Sequence, residues 1–176
     1  MKLSELVFID EFGAATNMAR THGRAPRGQR VVDKIPHGHW KTLSTVAALS
    51  VKGILTAVSY DGAMNTECFV GFLEQFLVPA LRPGQVVILD NLPAHKSAEV
   101  DRLIEAAGAK LLRLPPYSPD FNPIEMAISK TKTLLRKEAA RTIDSLIDAV
   151  GRSLSSITED DAVHYIQHCG YGATIG

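Results

Sequence analysis

Two apolar runs, each closing on an aspartate, constrain this chain most. They are Val7-Phe8-Ile9-Asp10 and Val86-Val87-Ile88-Leu89-Asp90. Unbroken apolar stretches of this length, rich in β-formers, read as strands buried on both faces. In an open sheet with crossovers, ligands gather at the carboxyl ends of the strands. If the two strands are parallel neighbours, their carboxylates meet, and like charges at that distance raise each other's pKa unless a cation lies between them. A hard divalent ion such as Mg²⁺ takes carboxylate oxygens and keeps positions open for phosphate and water. Two such ions about 4 Å apart stabilise the attacking and leaving oxygens of an in-line phosphoryl displacement. That arrangement needs a third acid, and Glu125 is the candidate.

The rest of the chain supplies the scaffold. Residues 5–9 read as a strand, 21–28 as a turn or loop, 30–35 as a possible second strand, and 42–60 as two strands turning at Lys52-Gly53. Residues 67–81 have helical spacing, with Phe69, Phe72, Leu73, Phe76, Leu77 and Ala80 on one face and a stop at Arg82-Pro83-Gly84. Strand 86–89 is followed by a helix over 97–107 ending at Gly108, a strand over 110–114 and a Pro-rich loop over 115–119. A helix opens at Asn122 and runs to about Ala140, and one or two more fill 142–169 before a Gly-rich tail. Strands first, then strand–helix–strand, then helices predict an α/β domain on a mixed sheet. With 176 residues, 45% of them hydrophobic, one domain with a real core is expected over 1–176. We divide it into a core of about 4–140 and a C-terminal helical tail, 141–176.

Several functional classes lose support at once. No charge-free stretch reaches the roughly 20 apolar residues that cross a bilayer, so no membrane partner is expected. Cys68 and Cys169 form no CxxC pair, which argues against a zinc ribbon and fits a reducing cytoplasm. There is no P-loop, no GxGxxG after a strand and no GxSxG elbow, so ATP, NAD and acyl-transfer chemistry have no footing. His164 and His168 stand four apart beside Cys169, but the Glu of an HExxH motif is missing, and we read them as structural, with Cys68 and Trp40.

Between Asp90 and Glu125 lie 34 residues. With this spacing, the segments Phe8-Ile9-Asp10-Glu11, Leu89-Asp90-Asn91 with Ala94-His95, and Pro115-Pro116-Tyr117-Ser118-Pro119-Asp120-Phe121-Asn122-Pro123-Ile124-Glu125 resemble the mariner superfamily of DDE transposases, in its bacterial insertion-sequence branch. The resemblance runs from Phe8 to about Tyr171. It implies an RNase H-like fold: a mixed five-stranded sheet flanked by helices, with a C-terminal helical extension. It implies Asp10, Asp90 and Glu125 as catalytic and metal-binding residues, two Mg²⁺ ions with Mn²⁺ as a substitute, and DNA as partner, both transposon ends and target. The implied reaction is hydrolysis at the transposon end, then attack of the freed 3′-hydroxyl on target DNA, with no covalent protein–DNA intermediate. Family members carry helix-turn-helix modules ahead of the catalytic domain. Asp10 lies so near the start that we expect none here, and either one product of a split reading frame or a truncated copy. The expected assembly is a homodimer or a complex with an upstream helix-turn-helix product, at the nucleoid in a bacterial cytoplasm.

Net charge is zero, but the cations cluster. Residues 20–41 hold Arg20, Arg24, Arg27, Arg30, Lys34 and Lys41 against Asp33 alone, and 130–141 hold five cations against Glu138. Such runs are ordinarily solvated faces. Beside an acidic triad they are also the natural source of phosphate contacts, since carboxylates repel DNA unless cations offset them. Arg20, Arg24, Arg27, Arg30 and Lys132 are the candidates. Glu11 should point away from Asp10 on a strand and, with Asn91 and His95, flank the acids. His95 reads equally as a satisfied loop histidine or a phosphate contact. Asp120 is expected to turn the loop. Glu125 has a competing local role: Asn122 as N-cap, Pro123 in the first helical position and Glu125 at N3 would form a capping box. The rival functions are an RNase H-like nuclease that never joins strands, an inactive or truncated remnant binding DNA or a partner, and, weakest, a small-molecule phosphohydrolase.

Overall fold

A computed structural model describes residues 2–92, 95–116 and 118–172. Ala94, Tyr117 and the end of the Gly-rich tail lie outside the described residues. Five strands form one sheet: β1 (Leu6–Ala15), β2 (Thr42–Ser50), β3 (Gly53–Asp61), β4 (Val86–Leu89) and β5 (Lys110–Arg113), in the order β3-β2-β1-β4-β5. The first three are antiparallel neighbours, while β4 and β5 add in parallel beyond β1. The helices are α1 (Thr66–Phe72), α2 (Ala98–Ala106), α3 (Ile124–Glu138), α4 (Ile143–Ser155) and α5 (Glu159–His168). The element order predicts an α/β domain on a mixed sheet, and the five strands flanked by helices are those the resemblance implies.

Strand alternation divides the apolar residues between two cores. Leu6, Phe8, Phe12, Ala47 and Ile88 face α3, α4 and α5 through Ile124, Ile128, Val150 and Ile166. Val7, Ile9, Val46, Val87 and Leu89 face α1 and α2 through Phe69, Phe72, Val100 and Ile104. A helical layer thus covers each face, which is why β1 and β4 read as continuous apolar runs. The β2–β3 hairpin turns where expected. Gly53 has φ +102°, and a Cβ there would meet the Ile157 carbonyl oxygen at 2.7 Å, so only glycine fits.

Three local expectations are corrected. Strand β1 does not stop at Ile9; it continues to Ala15 along β2, so Asp10 lies mid-strand. The expected strand over 30–35 does not form. Val32 is 83% exposed and Ile35 68%, and the segment pairs with no strand of the sheet. The helix expected over 67–81 is α-helical only to Phe72, then widens into a π turn over Leu73–Leu77 and tightens into a 3-10 turn over Val78–Ala80. Pro79 lacks the N–H that a regular helix needs and its ring crowds the preceding turn. The change of pitch keeps Leu73 and Leu77 buried but turns Phe76 outward, 42% exposed, off the face assigned to it.

Candidate active site

The parallel pairing of β1 with β4 matches Leu6 to Val86, Val7 to Val87 and Phe8 to Ile88. Carried forward at the same offset, that register sets Asp10 level with Asp90, just past the end of β4. Glu125, in the first turn of α3, lines the same cleft of about 380 Å³, together with Asn91, Asn122 and Lys96. The sheet interior and a helix start therefore bring the three acids to one opening. As placed, no three His, Cys, Asp or Glu side chains among the described residues stand close enough to hold a metal ion.

Two of the three acids, Asp10 and Asp90, are held by hydrogen bonds within the protein. Asp10 is only 8% exposed. Its Oδ1 accepts from the Glu11 N–H at 2.7 Å and its Oδ2 from Asn122 Nδ2 at 2.9 Å. Burial pushes the Asp10 carboxyl up, and the charges of Glu125 and Asp90 add to this against the Glu11 N–H and His95, to about 7. Asp90 is held below the ordinary range. Burial opposes that, but the bond from His95, the Leu92 N–H and the positive charges of His95 and Lys96 outweigh it.

His95 is the hub on the other side of the sheet. It is fully buried, its ring 4.1 Å from that of Phe69, with Nδ1 2.6 Å from Asp90 Oδ1 and Nε2 3.0 Å from Glu11 Oε1. Burial alone would lower its pKa. Hydrogen bonds to Asp90 and Glu11, and their charges, reverse this and raise it to about 9, so at neutral pH it is an imidazolium bridging two carboxylates. Glu11 and Asp10 project to opposite faces, and His95 ties Glu11 to Asp90. Asn91 donates through Nδ2 to the Leu114 carbonyl at 3.2 Å, fastening the loop after β4 to the end of β5.

The capping box at Glu125 is absent. Helix α3 starts at Ile124 with Pro123 at the N-cap and no side-chain cap. Asn122 turns its amide onto Asp10 instead, and its buried Oδ1 has no partner among the described residues. Glu125 is left to face the cleft. On its other side lies a second hollow of about 460 Å³, reached by Asp120, His168 and Cys169. Asp120 sits in the 3-10 turn Pro119–Phe121, whose Phe121 carbonyl accepts from the Tyr171 hydroxyl at 2.8 Å.

The basic candidates separate. Arg20 and Arg24 line a cavity with Arg136 and Lys137. Arg27 and Arg30 lie exposed farther along the irregular segment, and Lys132 is half-buried on α3. None of these five lines the acidic cleft. Sequence reasoning missed Lys96, Asn122 as an Asp10 partner, Arg136 and Lys137. A cation directly after His95 and an amide three residues before Glu125 were the available signals.

A family model described as DDE superfamily endonuclease matches residues 5–147. Among solved structures, a Mos1 transposase paired-end complex with left transposon end superposes with a TM-score of 0.79 at 17% identity, over 95% of this chain and 52% of that one. A mariner Mos1 paired-end complex with Mg gives 0.72 at 17% identity, over 95% and 54%. The Mos1 transposase catalytic domain with Raltegravir and Mn gives 0.70 at 15% identity, over 96% and 78%. At these identities the likeness carries the fold, which is RNase H-like, and this chain spans about half the length of the paired-end transposases. No helix among the described residues is long and apolar enough to cross a membrane.

Proposed function

This chain belongs to the DDE superfamily of endonucleases, and from that premise we propose that it is the catalytic domain of a transposase, with Asp10, Asp90 and Glu125 as its three catalytic acids. The observation that carries the reading is the strand register that levels Asp10 with Asp90 beside the cleft that Glu125 also lines. The residues fit a divalent metal. Asp10 carries its charge only at a cost, between two further acids, and the orphaned Asn122 Oδ1 is one more hard oxygen beside it. Asp10, Asp90 and Glu125 would hold two Mg²⁺ ions, or Mn²⁺ in their place, whose chemistry is to stabilise the charge on the attacking and leaving oxygens.

The chain's own residues do the rest. His95 and the Leu92 N–H fix the orientation of Asp90, and Asn122 fixes Asp10. Lys96 at the cleft offers a positive charge to a phosphodiester approaching three carboxylates. Water attacks phosphorus in line, the 3′-oxygen leaves, and the freed 3′-hydroxyl displaces a second phosphodiester in target DNA. No serine or tyrosine nucleophile is required. Arg20, Arg24, Arg27, Arg30 and Lys132 contact the DNA backbone. A helix-turn-helix module, in the same polypeptide or a co-assembled one, recognises the transposon ends, and two catalytic domains act together at the nucleoid in the cytoplasm.

The test is nicking and joining of DNA with Mg²⁺. Asp90→Asn is expected to abolish both while fold and DNA affinity persist. Normal cleavage by that variant sinks the assignment, and cleavage without joining of pre-cut ends would make the chain a nuclease.

A further inference from the structure

A further polar cavity, of about 530 Å³, shares no lining residue with the acidic cleft. One wall is the segment Arg20, Thr21, His22, Gly23 and Arg24; the other is Thr133, Arg136 and Lys137 on the last turns of α3. More than a hundred residues of sequence separate the walls. The chain after α3 holds them together: Arg141 Nη1 donates to the Thr16 carbonyl at 3.0 Å and to the Met18 carbonyl at 2.8 Å, at the root of the segment.

Four cations thus surround one hollow with no carboxylate in its lining. Among the described residues none of the four takes part in a salt bridge. The nearest acid in sequence, Glu138, is engaged elsewhere by Arg152. Arg136 and Lys137 alone would suit the negative end of α3. That accounts for neither Arg20 nor Arg24, which gain nothing from crowding like charges. Converging unpaired guanidinium groups suit an anion with several oxygens, and arginine's fork suits phosphate.

We propose that this cavity binds a phosphate of the DNA backbone, as a grip on the duplex whose cleavage takes place at the acids. That the anion belongs to DNA rests on the function proposed above; the anionic chemistry does not. Arg136 stands eleven residues beyond Glu125 on one helix. At 1.5 Å per residue that is about 16 Å along the helix axis, so the grip and the acids are separate contact points on one element.

Duplex affinity against salt concentration tests this. Two double variants, Arg136→Gln with Lys137→Gln and Arg20→Gln with Arg24→Gln, are compared with a control that loses the same charge elsewhere, Arg102→Gln with Lys110→Gln. The second variant leaves α3 untouched, so a folding defect in the first does not decide the matter, and melting curves check all three. Each cavity variant is expected to weaken binding about tenfold and to reduce the slope of log affinity on log salt by about 0.9, the value for one phosphate contact, the control by neither. Cavity variants that match the control overturn the proposal. So does inorganic phosphate saturating the cavity while DNA binding stays the same in the variants, since that assigns a small anion. A wild type that binds duplex at full slope yet cuts none would defeat the proposed function and leave the grip standing.

Discussion

Asp10 is a carboxyl group in the middle of a buried strand, and its titration is the most direct consequence of that placement. Its pKa rises from 3.8 unfolded to about 7 folded, chiefly through burial. Between those values the unfolded chain has released the proton and the folded one retains it, so stability falls as pH rises across this window, by up to about 4 kcal/mol. Asp10→Asn is expected to remove the fall, read as denaturation midpoints at pH 4, 5 and 6, below the range in which His95 titrates; equal slopes in the two proteins would contradict it. Mg²⁺ is expected to raise the melting temperature of the wild type at pH 8 and not that of the variant. His95 runs the same way, over a higher window. Its folded pKa of about 9 lies above 6.5, so its charge stabilises fully below pH 6.5 and that contribution is lost as pH rises through 9. His95→Ala leaves Glu11 and Asp90 facing a void beside Phe69 and is expected to cost about 2–4 kcal/mol. That Asp10 and Asp90 end up level was legible because two apolar runs each close on an aspartate; either one alone would read as an ordinary strand-end residue. Asn122 was not legible. Its local pattern matched a helix cap, and only the approach of β1, more than a hundred residues away in sequence, turned its amide onto Asp10.

Elements were readable where one physical signal dominated and opaque where two competed. The buried strands β1 and β4 declared themselves by unbroken apolar runs, and their parallel pairing fixed the register that levels the acids. Val31, Val32 and Ile35 carry strand propensity, but propensity without a neighbouring edge forms no ladder, and the segment stays irregular. The helical stripe from Phe69 onward was correct until Pro79 forced the pitch to change, which expelled Phe76. Helix α3 ends with Ala139 in the left-handed region at φ 53°, alone among the described non-glycine residues in having positive φ. Ala139→Gly is expected to raise stability by up to about 1 kcal/mol, read from denaturant midpoints. A loss of stability would mean that the Ala139 side chain matters more than its backbone.

Across the whole molecule, helices α4 and α5 are packed as core. Leu146, Val150, Leu154 and Ile166 share one buried cluster with Phe8, Phe12 and Ile128. We propose that the chain unfolds as one unit, so truncation after residue 140 is expected to abolish cooperative unfolding instead of trimming a tail; a truncated protein with a sharp transition would contradict this. The two basic stretches were legible as charge clusters, but that Arg20 and Arg24 face Arg136 and Lys137 depends on long-range packing that no local pattern encodes. The central claim is that three carboxylates from β1, the end of β4 and the start of α3 share divalent ions. Crystals grown with Mn²⁺ and examined by anomalous diffraction test it most directly. The account expects peaks about 2.0–2.3 Å from oxygens of Asp10, Asp90 and Glu125, with Asn122 drawn off Asp10. Bound Mn²⁺ that leaves Asp10 on Asn122 and touches none of the three acids would contradict it.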